Sequence, residues 1–407
     1  MMLHILMPIL VRLTYLLLLT TTLGAGEAQE KLAVAFIYPQ TPTTSTVNTY
    51  DYAIAGEAGR LGAELAYERF AWVAQQQGVD FRVLMNSAPS PSSAVRAAQR
   101  LIQNDGVFAI VGGFDAPQAK ALAKVAAERN VLFFNVGATD HTTIPTTHTF
   151  HLQPSAATYL RAISSLASTT DPDKWLVLHA GDEEGENRLE AAKDMLFEGV
   201  SPLAVSISSD APVFHEAFST IRELAPEKVL LLLDWRLQLD FLTQFESMQL
   251  ELPTMWALPD SVTTSREFYG LLRSGAPNAG RGPHMTTWDP TLDGTEASFL
   301  NELFESRFGE PMDPAAWATF EAIRLAFEAA MGSETTDAER IKDYLLHANR
   351  QLYVDKDSPT SFDADTHELK QNLYLTQLVD RARDGSRLDK LKSRAMVLRL
   401  MPVDQVW

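Results

Sequence analysis

Residues 107–139 carry the clearest hydrophobic pattern of the chain: an apolar run at Val107, Phe108, Ile110 and Val111, the break Gly112–Gly113, a stripe at Ala119, Leu122, Val125 and Ala126, then a second run over 131–134. The runs are too short for helices, and Asp115 followed by Pro117 marks a helix start. Continuous apolar strands are those covered on both faces. The segment predicts a βαβ unit whose right-handed crossover sets its strands side by side. Their carboxyl ends open on one crevice.

The same alternation runs through the chain. Strands are predicted at 32–37 and 81–85, a helix through Leu61, Leu65, Ala66, Phe70 and Val73, and another at 92–103. After a strand at 149–152 it restarts with helices at 156–168, 186–197, 212–224 and 239–248, and strands at 175–179, 203–207, 228–233 and 254–258. The Gly/Pro/Asn stretch 274–283 reads as a return towards the first half, before a strand at 284–288, helices at 295–308 and 314–331, and tail strands at 372–378 and 395–400. This is an α/β doubly wound pattern with two Rossmann-like lobes.

Residues 1–28 hold one positive charge at Arg12, an apolar core over 13–19 and small residues up to Ala28. A membrane span needs about 20 uninterrupted apolar residues, so a cleaved export leader ending near Ala28 is expected. The chain has no cysteine, which excludes a lipid-anchored cysteine, disulfides, a thiol nucleophile and cysteine-ligated zinc. A formal charge of −18 argues against nucleic acid and anionic membrane surfaces. There is no G-x-S-x-G elbow, H-E-x-x-H, Walker loop or complete G-x-G-x-x-G, so no enzyme reading and no cofactor is supported.

Several stretches resemble the type I periplasmic solute-binding proteins of ABC transporters, the branched-chain amino acid and amide receptors: Gly62-Ala63-Glu64-Leu65-Ala66 in the first helix, the Val111–Ala116 loop, Asn135-Val136-Gly137-Ala138-Thr139, Phe304–Pro311 with Ala322 and Ala326 following, and Phe362-Asp363. The tail over 363–375 is similar to a branch associated with quinoprotein (PQQ) alcohol-oxidation systems. The resemblance implies a monomeric periplasmic receptor that closes on a small molecule and presents it to an ABC permease. It further implies lobe I over 29–152, lobe II over 153–282, a return to lobe I over 283–355 and a segment 356–407 completing lobe II and the hinge. An accessory or sensor protein of an alcohol-oxidation system, using the same cleft without transport, is the alternative.

Ligands of such folds lie at the carboxyl ends of strands from both lobes. That places Tyr38, Gly113, Phe114, Asp115, Ala138, Thr139 and Asp140 at the rim of lobe I, and Glu184, Asp234, Trp235, Asp260 and Trp288 opposite them. Family receptors for amino acids carry a small hydroxyl where Phe114-Asp115 stands here, and a carboxylate there repels a ligand carboxylate. Thr139 keeps the family hydroxyl. Thr139 and the backbone at Gly113 and Ala138 are expected to hold one end of the ligand, and Asp234, Asp260 and Glu184 the other. Tyr38, Phe114, Trp235 and Trp288 are expected to wall it. The competing account of the acidic residues is capping, since Asp and Glu are favoured at any helix start. His148 and His151, three apart on a strand, point to opposite faces and make no metal site with His141. His179, at a strand end, is a weaker contact candidate.

Overall fold

Strand β1 (Glu30–Tyr38) sends Leu32, Val34 and Phe36 to one face and Ala33, Ala35 and Ile37 to the other, and both faces are buried. In this computed structural model, which describes residues 30–40, 52–167, 170–347, 350–380, 385–392 and 395–407, β1 lies inside the first of two parallel sheets. The expected leader falls outside the described residues. After β1 come α1 (Ala53–Gln76), β2 (Val79–Ser87), α2 (Pro91–Asp105), β3 (Ala109–Gly112), α3 (Ala116–Arg129), β4 (Leu132–Asn135) and β5 (Thr149–His151). They form a parallel sheet in the order β2-β1-β3-β4-β5, with Ala109 opposite Leu132 as the βαβ pattern requires.

The second sheet follows α4 (Ala156–Leu166) and is built from β6 (Trp175–Ala180), α5 (Glu183–Met195), β7 (Leu203–Ile207), α6 (His215–Leu224), β8 (Lys228–Leu232), α7 (Trp235–Ser247) and β9 (Thr254–Ala257). Its order is β7-β6-β8-β9, again parallel. Helices α5 and α7 start earlier than the apolar pattern suggests, because Asp182 and Asp234 cap them with side-chain oxygens one turn ahead of the first core residues. Helix α8 (Arg266–Gly275), absent from the sequence reading, is capped by Ser265 and buries Phe268, Tyr269 and Leu272.

Strand β10 (Pro283–Thr286) is followed by α9 (Thr295–Phe308), α10 (Pro314–Ser333), α11 (Ala338–Leu346) and the short strands β11 (Leu352–Tyr353), β12 (Pro359–Phe362) and β13 (Leu369–Lys370). Then come β14 (Leu373–Leu378), α12 (Arg387–Lys392), β15 (Ala395–Met401) and α13 (Val403–Val406). Helices α9 to α11 share a hydrophobic cluster with β1, while β14 pairs antiparallel with β10 and β15 and packs on the second sheet. Among the described residues the chain passes between the lobes at 152–156, 285–288 and 369–373.

Helix α1 lies against α10 through small residues on one face. A Cβ at Gly62 would sit 2.1 Å from the Ala316 carbonyl oxygen, and one at Gly59 would sit 2.7 Å from the Phe114 ring. At Gly56 it would meet the Pro39 carbonyl oxygen at 2.2 Å. These contacts set the rim of lobe I. Overpacking of this kind costs about 1–3 kcal/mol, so Gly62→Ala is expected to lower the unfolding free energy by that amount, read as a fall in the urea midpoint. Gly270→Ala, in α8 with no atom within 4 Å of the added methyl, should instead stabilise by about 0.5–1 kcal/mol.

Candidate ligand-binding cleft

The lobe I side begins at Gly113, whose φ of +83° turns the chain out of β3. The buried Gln118 reaches back from α3, and its Oε1 accepts from the amides of Gly113 (3.2 Å) and Phe114 (3.3 Å). Asp115 caps the same helix, its Oδ1 accepting from the Gln118 amide at 2.7 Å. The Ala138 amide donates to the Gly113 carbonyl oxygen at 2.9 Å and to Asn135 Oδ1 at 3.1 Å. The backbone groups expected to grip a ligand are therefore already bonded inside lobe I. Thr139 is buried, and its carbonyl oxygen accepts from the Ala156 amide at 3.0 Å, tying this loop to α4. Asp140 is committed locally: Oδ1 accepts from the Thr142 amide and hydroxyl, and Oδ2 from the Thr143 hydroxyl.

On lobe II, Glu184 lies in the first turn of α5 and pairs with Arg188 one turn on. Asp234 accepts from the amides of Arg236 (2.8 Å) and Leu237 (2.9 Å), and Asp260 Oδ1 accepts from those of Val262 (2.7 Å) and Thr263 (2.8 Å). Asp115 and Asp234 are thus helix N-caps, whereas Asp260 holds the turn that precedes Ser265, the cap of α8.

The two sides meet. The Ser261 hydroxyl donates to the Phe114 carbonyl oxygen at 2.8 Å, a buried bond from lobe II to lobe I. Tyr52, just ahead of α1, packs against both hydrophobic cores and holds φ at +52°, a left-handed conformation that is rare for a bulky side chain. Burial pushes its phenol well above the usual range, reinforced by the charges of Asp260, Asp115 and Glu184 and opposed by Arg188. Burial likewise raises the carboxyl of Glu184, which Arg188 opposes and Asp140, Asp182 and Asp260 reinforce. Asp115 and Asp260 are also raised by burial, held back by the amides they cap. Glu184 thus feels Arg188, Asp140 and Asp260, and Tyr52 feels Asp260, Asp115, Glu184 and Arg188 across the lobes. Asp234 acts in turn on Asp260.

The aromatic wall expected from the sequence is corrected at several positions. Trp288 is 1% exposed, stacks on Trp317 at 5.7 Å and donates its indole N–H to Asn301; neighbouring Asp289 is buried and accepts from the Thr291 amide. The strand Pro283–Thr286 delivers Trp288 into the core of lobe I. Phe114 is equally buried, edge-on to Phe36 at 6.1 Å, and offers its carbonyl rather than its ring. Tyr38 stacks on Phe36, and the charges acting on its phenol are Arg60, Glu57 and Glu64 of α1, none from the cleft. Trp235 packs against the lobe II core with the Arg236 guanidinium 5.3 Å from its ring centre.

The histidines divide as the strand period requires. His148 meets Glu339 at 2.8 Å, whereas His151 stacks on His141 at 3.7 Å and contacts the Asn135 amide. No group of three or more His, Asp or Glu side chains among the described residues is arranged for a metal ion. His179 Nδ1 lies 3.0 Å from the Ala180 carbonyl oxygen. Sequence reasoning missed Tyr52, Gln118, Arg188 and Ser261. The spacing of Arg188 four residues after Glu184 was the available signal for one of them.

A family model described as periplasmic binding protein matches residues 45–385, and the chain belongs to this family. Its structural neighbours are substrate-binding proteins of ABC transporters. The periplasmic ligand-binding protein of a branched-chain amino acid ABC transporter from Burkholderia xenovorans aligns with a TM-score of 0.75 at 13% identity, covering 93% of this chain and 96% of that one. A solute-binding protein from Rhodopseudomonas palustris, solved with 3,4-dihydroxybenzoic acid, aligns at 0.71 and 17% identity over 92% and 98% of the two chains. The branched-chain amino acid binding protein of Streptococcus pneumoniae, solved with isoleucine, gives 0.70 and 15% over 91% and 99%. At these identities the likeness is one of fold. No curated protein matches the sequence. No helix among the described residues is long and apolar enough to cross a membrane.

The raised carboxyl of Asp260 means that the folded chain favours its protonated form. Between the ordinary carboxylate range and the raised value the fold binds more protons than the unfolded chain, so this group's contribution to stability falls as pH rises. Asp260→Asn keeps an acceptor for both capped amides and removes the charge. It is expected to unfold at an equal or higher urea concentration than the parent at pH 7.5, with the difference closing towards pH 4. Asp260→Ala also abandons the cap and should lose about 1 kcal/mol towards pH 4, and less at pH 7.5, where the parent carries the unfavourable charge.

Proposed function

We propose that this chain is a non-catalytic periplasmic receptor, exported through a cleaved leader, that captures a small polar solute between its lobes and delivers it as a monomer to an ABC permease. The observation that carries this reading is the meeting of the two lobes at the carboxyl ends of their parallel sheets, where the Ser261 hydroxyl donates to the Phe114 carbonyl oxygen and Tyr52 packs against both cores. Family membership supports it, as do the small ligands, isoleucine and 3,4-dihydroxybenzoic acid, held by structural neighbours.

The work is closure rather than reaction. Opening the cleft breaks the Ser261–Phe114 bond and the contacts by which Arg266, at the start of α8, reaches Glu310, the Pro311 carbonyl oxygen and Asp313 ahead of α10. A solute that touches both lobes adds its own contacts to these and shifts the population towards the closed form.

The test is thermal unfolding of the stripped, refolded protein against fractions of a low-mass cell extract. A ligand at 100 times its dissociation constant adds about 2.7 kcal/mol, so one fraction is expected to raise the melting temperature saturably. If none does, the receptor reading fails. If a fraction does but the loaded protein leaves the ATPase of its cognate permease unstimulated in proteoliposomes, the delivery step fails.

A further inference from the structure

The carboxylates around the turn from α9 to α10 of lobe I face cations of lobe II. Glu305 lies in the last turn of α9, and Glu310 and Asp313 follow Gly309, which closes the helix at φ +69°. Arg307, the cation within this stretch, pairs instead with Glu68 at 2.7 Å. The stretch therefore meets lobe II as an acidic edge.

Separate segments of lobe II supply the opposite sign. Arg266, the first residue of α8, donates from Nη1 to the Pro311 carbonyl oxygen at 3.2 Å, pairs through Nη2 with Glu310 and holds Nε 3.8 Å from Asp313. Helix α12, in the connection between β14 and β15, brings Arg387 Nη2 to 3.3 Å from the same Glu310 and Lys392 Nζ to 2.5 Å from Glu305. Leu378 and Ala395, at the two ends of that connection, belong to the lobe II core. Helix α12 itself buries no side chain, so its hold on lobe I is one of charge rather than packing. Arg387, 77% exposed, contributes least, because water and salt screen an open pair. Arg266 and Lys392 are better shielded, and so are Asp313 and Glu305 opposite them.

We propose that Arg266 and α12 form a charged strap that draws the lobes together before any solute arrives, so that ionic strength sets the balance between open and closed forms. A receptor biased in this way binds more tightly in dilute medium, because the competent closed form is already populated. The strap works with or without a solute, and its failure leaves the receptor reading standing. The sign of the salt effect separates it from the general charge of the chain. A protein of formal charge −18 repels itself, and salt that screens this repulsion favours the compact form. Screening a strap of opposite charges does the reverse.

The experiment is small-angle X-ray scattering of the stripped, ligand-free protein at about 20 and about 500 mM sodium chloride, which places the Debye length well above and well below that of physiological salt. The radius of gyration is expected to be larger at the higher salt. Arg266→Gln with Lys392→Gln removes the better-shielded cations and should show the high-salt radius at low salt, with the salt dependence lost. Lys392→Glu should move the same way, and exchange of the pair, Lys392→Glu with Glu305→Lys, should return the radius towards that of the parent. Lys120→Glu, which makes the same change of net charge on the exposed side of α3, should leave it unchanged. Thermal melting reports whether each variant is folded. If the Arg266 variant is not, Lys392→Glu and its exchange carry the test, since α12 buries nothing.

The inference is overturned if the radius shrinks or stays the same as salt rises, or if the folded double variant keeps the parent's low-salt radius. It is equally overturned if exchange of the pair restores nothing, or if Lys120→Glu opens the protein as far as Lys392→Glu does.

Discussion

The close contact of α1 with its surroundings governs where the rim of lobe I can be. Gly56, Gly59 and Gly62 bring one helix face against the Pro39 backbone, the Phe114 ring and the Ala316 backbone at once. The loop after β1, the loop after β3 and the start of α10 are thereby fixed relative to one another before any ligand arrives. Each glycine is present because a side chain would collide with main chain or with an aromatic ring. The loops that follow can be polar and irregular because their roots are held by packing.

That arrangement explains which parts were legible in the sequence. The βαβ unit over Ala109–Asn135 was readable because its apolar runs, glycine break and capped helix all point to one local answer, and the strands pair as that answer requires. Helix α8 was not, since Phe268, Tyr269 and Leu272 make a short stripe inside a stretch rich in Thr, Ser and Gly. Trp288 misled because an aromatic at a strand end is as well suited to a core as to a cleft, and the difference lies in α9 and α10, which arrive later in the chain to cover it. Gln118 and Arg188 were invisible for a related reason. Their meaning depends on the direction of a side chain, which helical spacing alone leaves open.

Asp115, Asp234 and Asp260 each turn one carboxylate oxygen to backbone amides. The same bonds orient the carboxylates and partly offset the cost of burying them. Raised carboxyls that persist despite such bonds mark sites where the fold tolerates unfavourable charge, a pattern common where a partner of opposite sign supplies the balance.

Among the described residues three crossings join the lobes, at 152–156, 285–288 and 369–373, and β10 is paired with β14 beside them. A single tether would let one lobe swivel freely about the other. Paired strands beside several crossings hold the lobes in register more firmly than one tether would. Arg266 at the start of α8, paired with Glu310 and Asp313 ahead of α10, adds a charged latch between the lobes to these covalent ties.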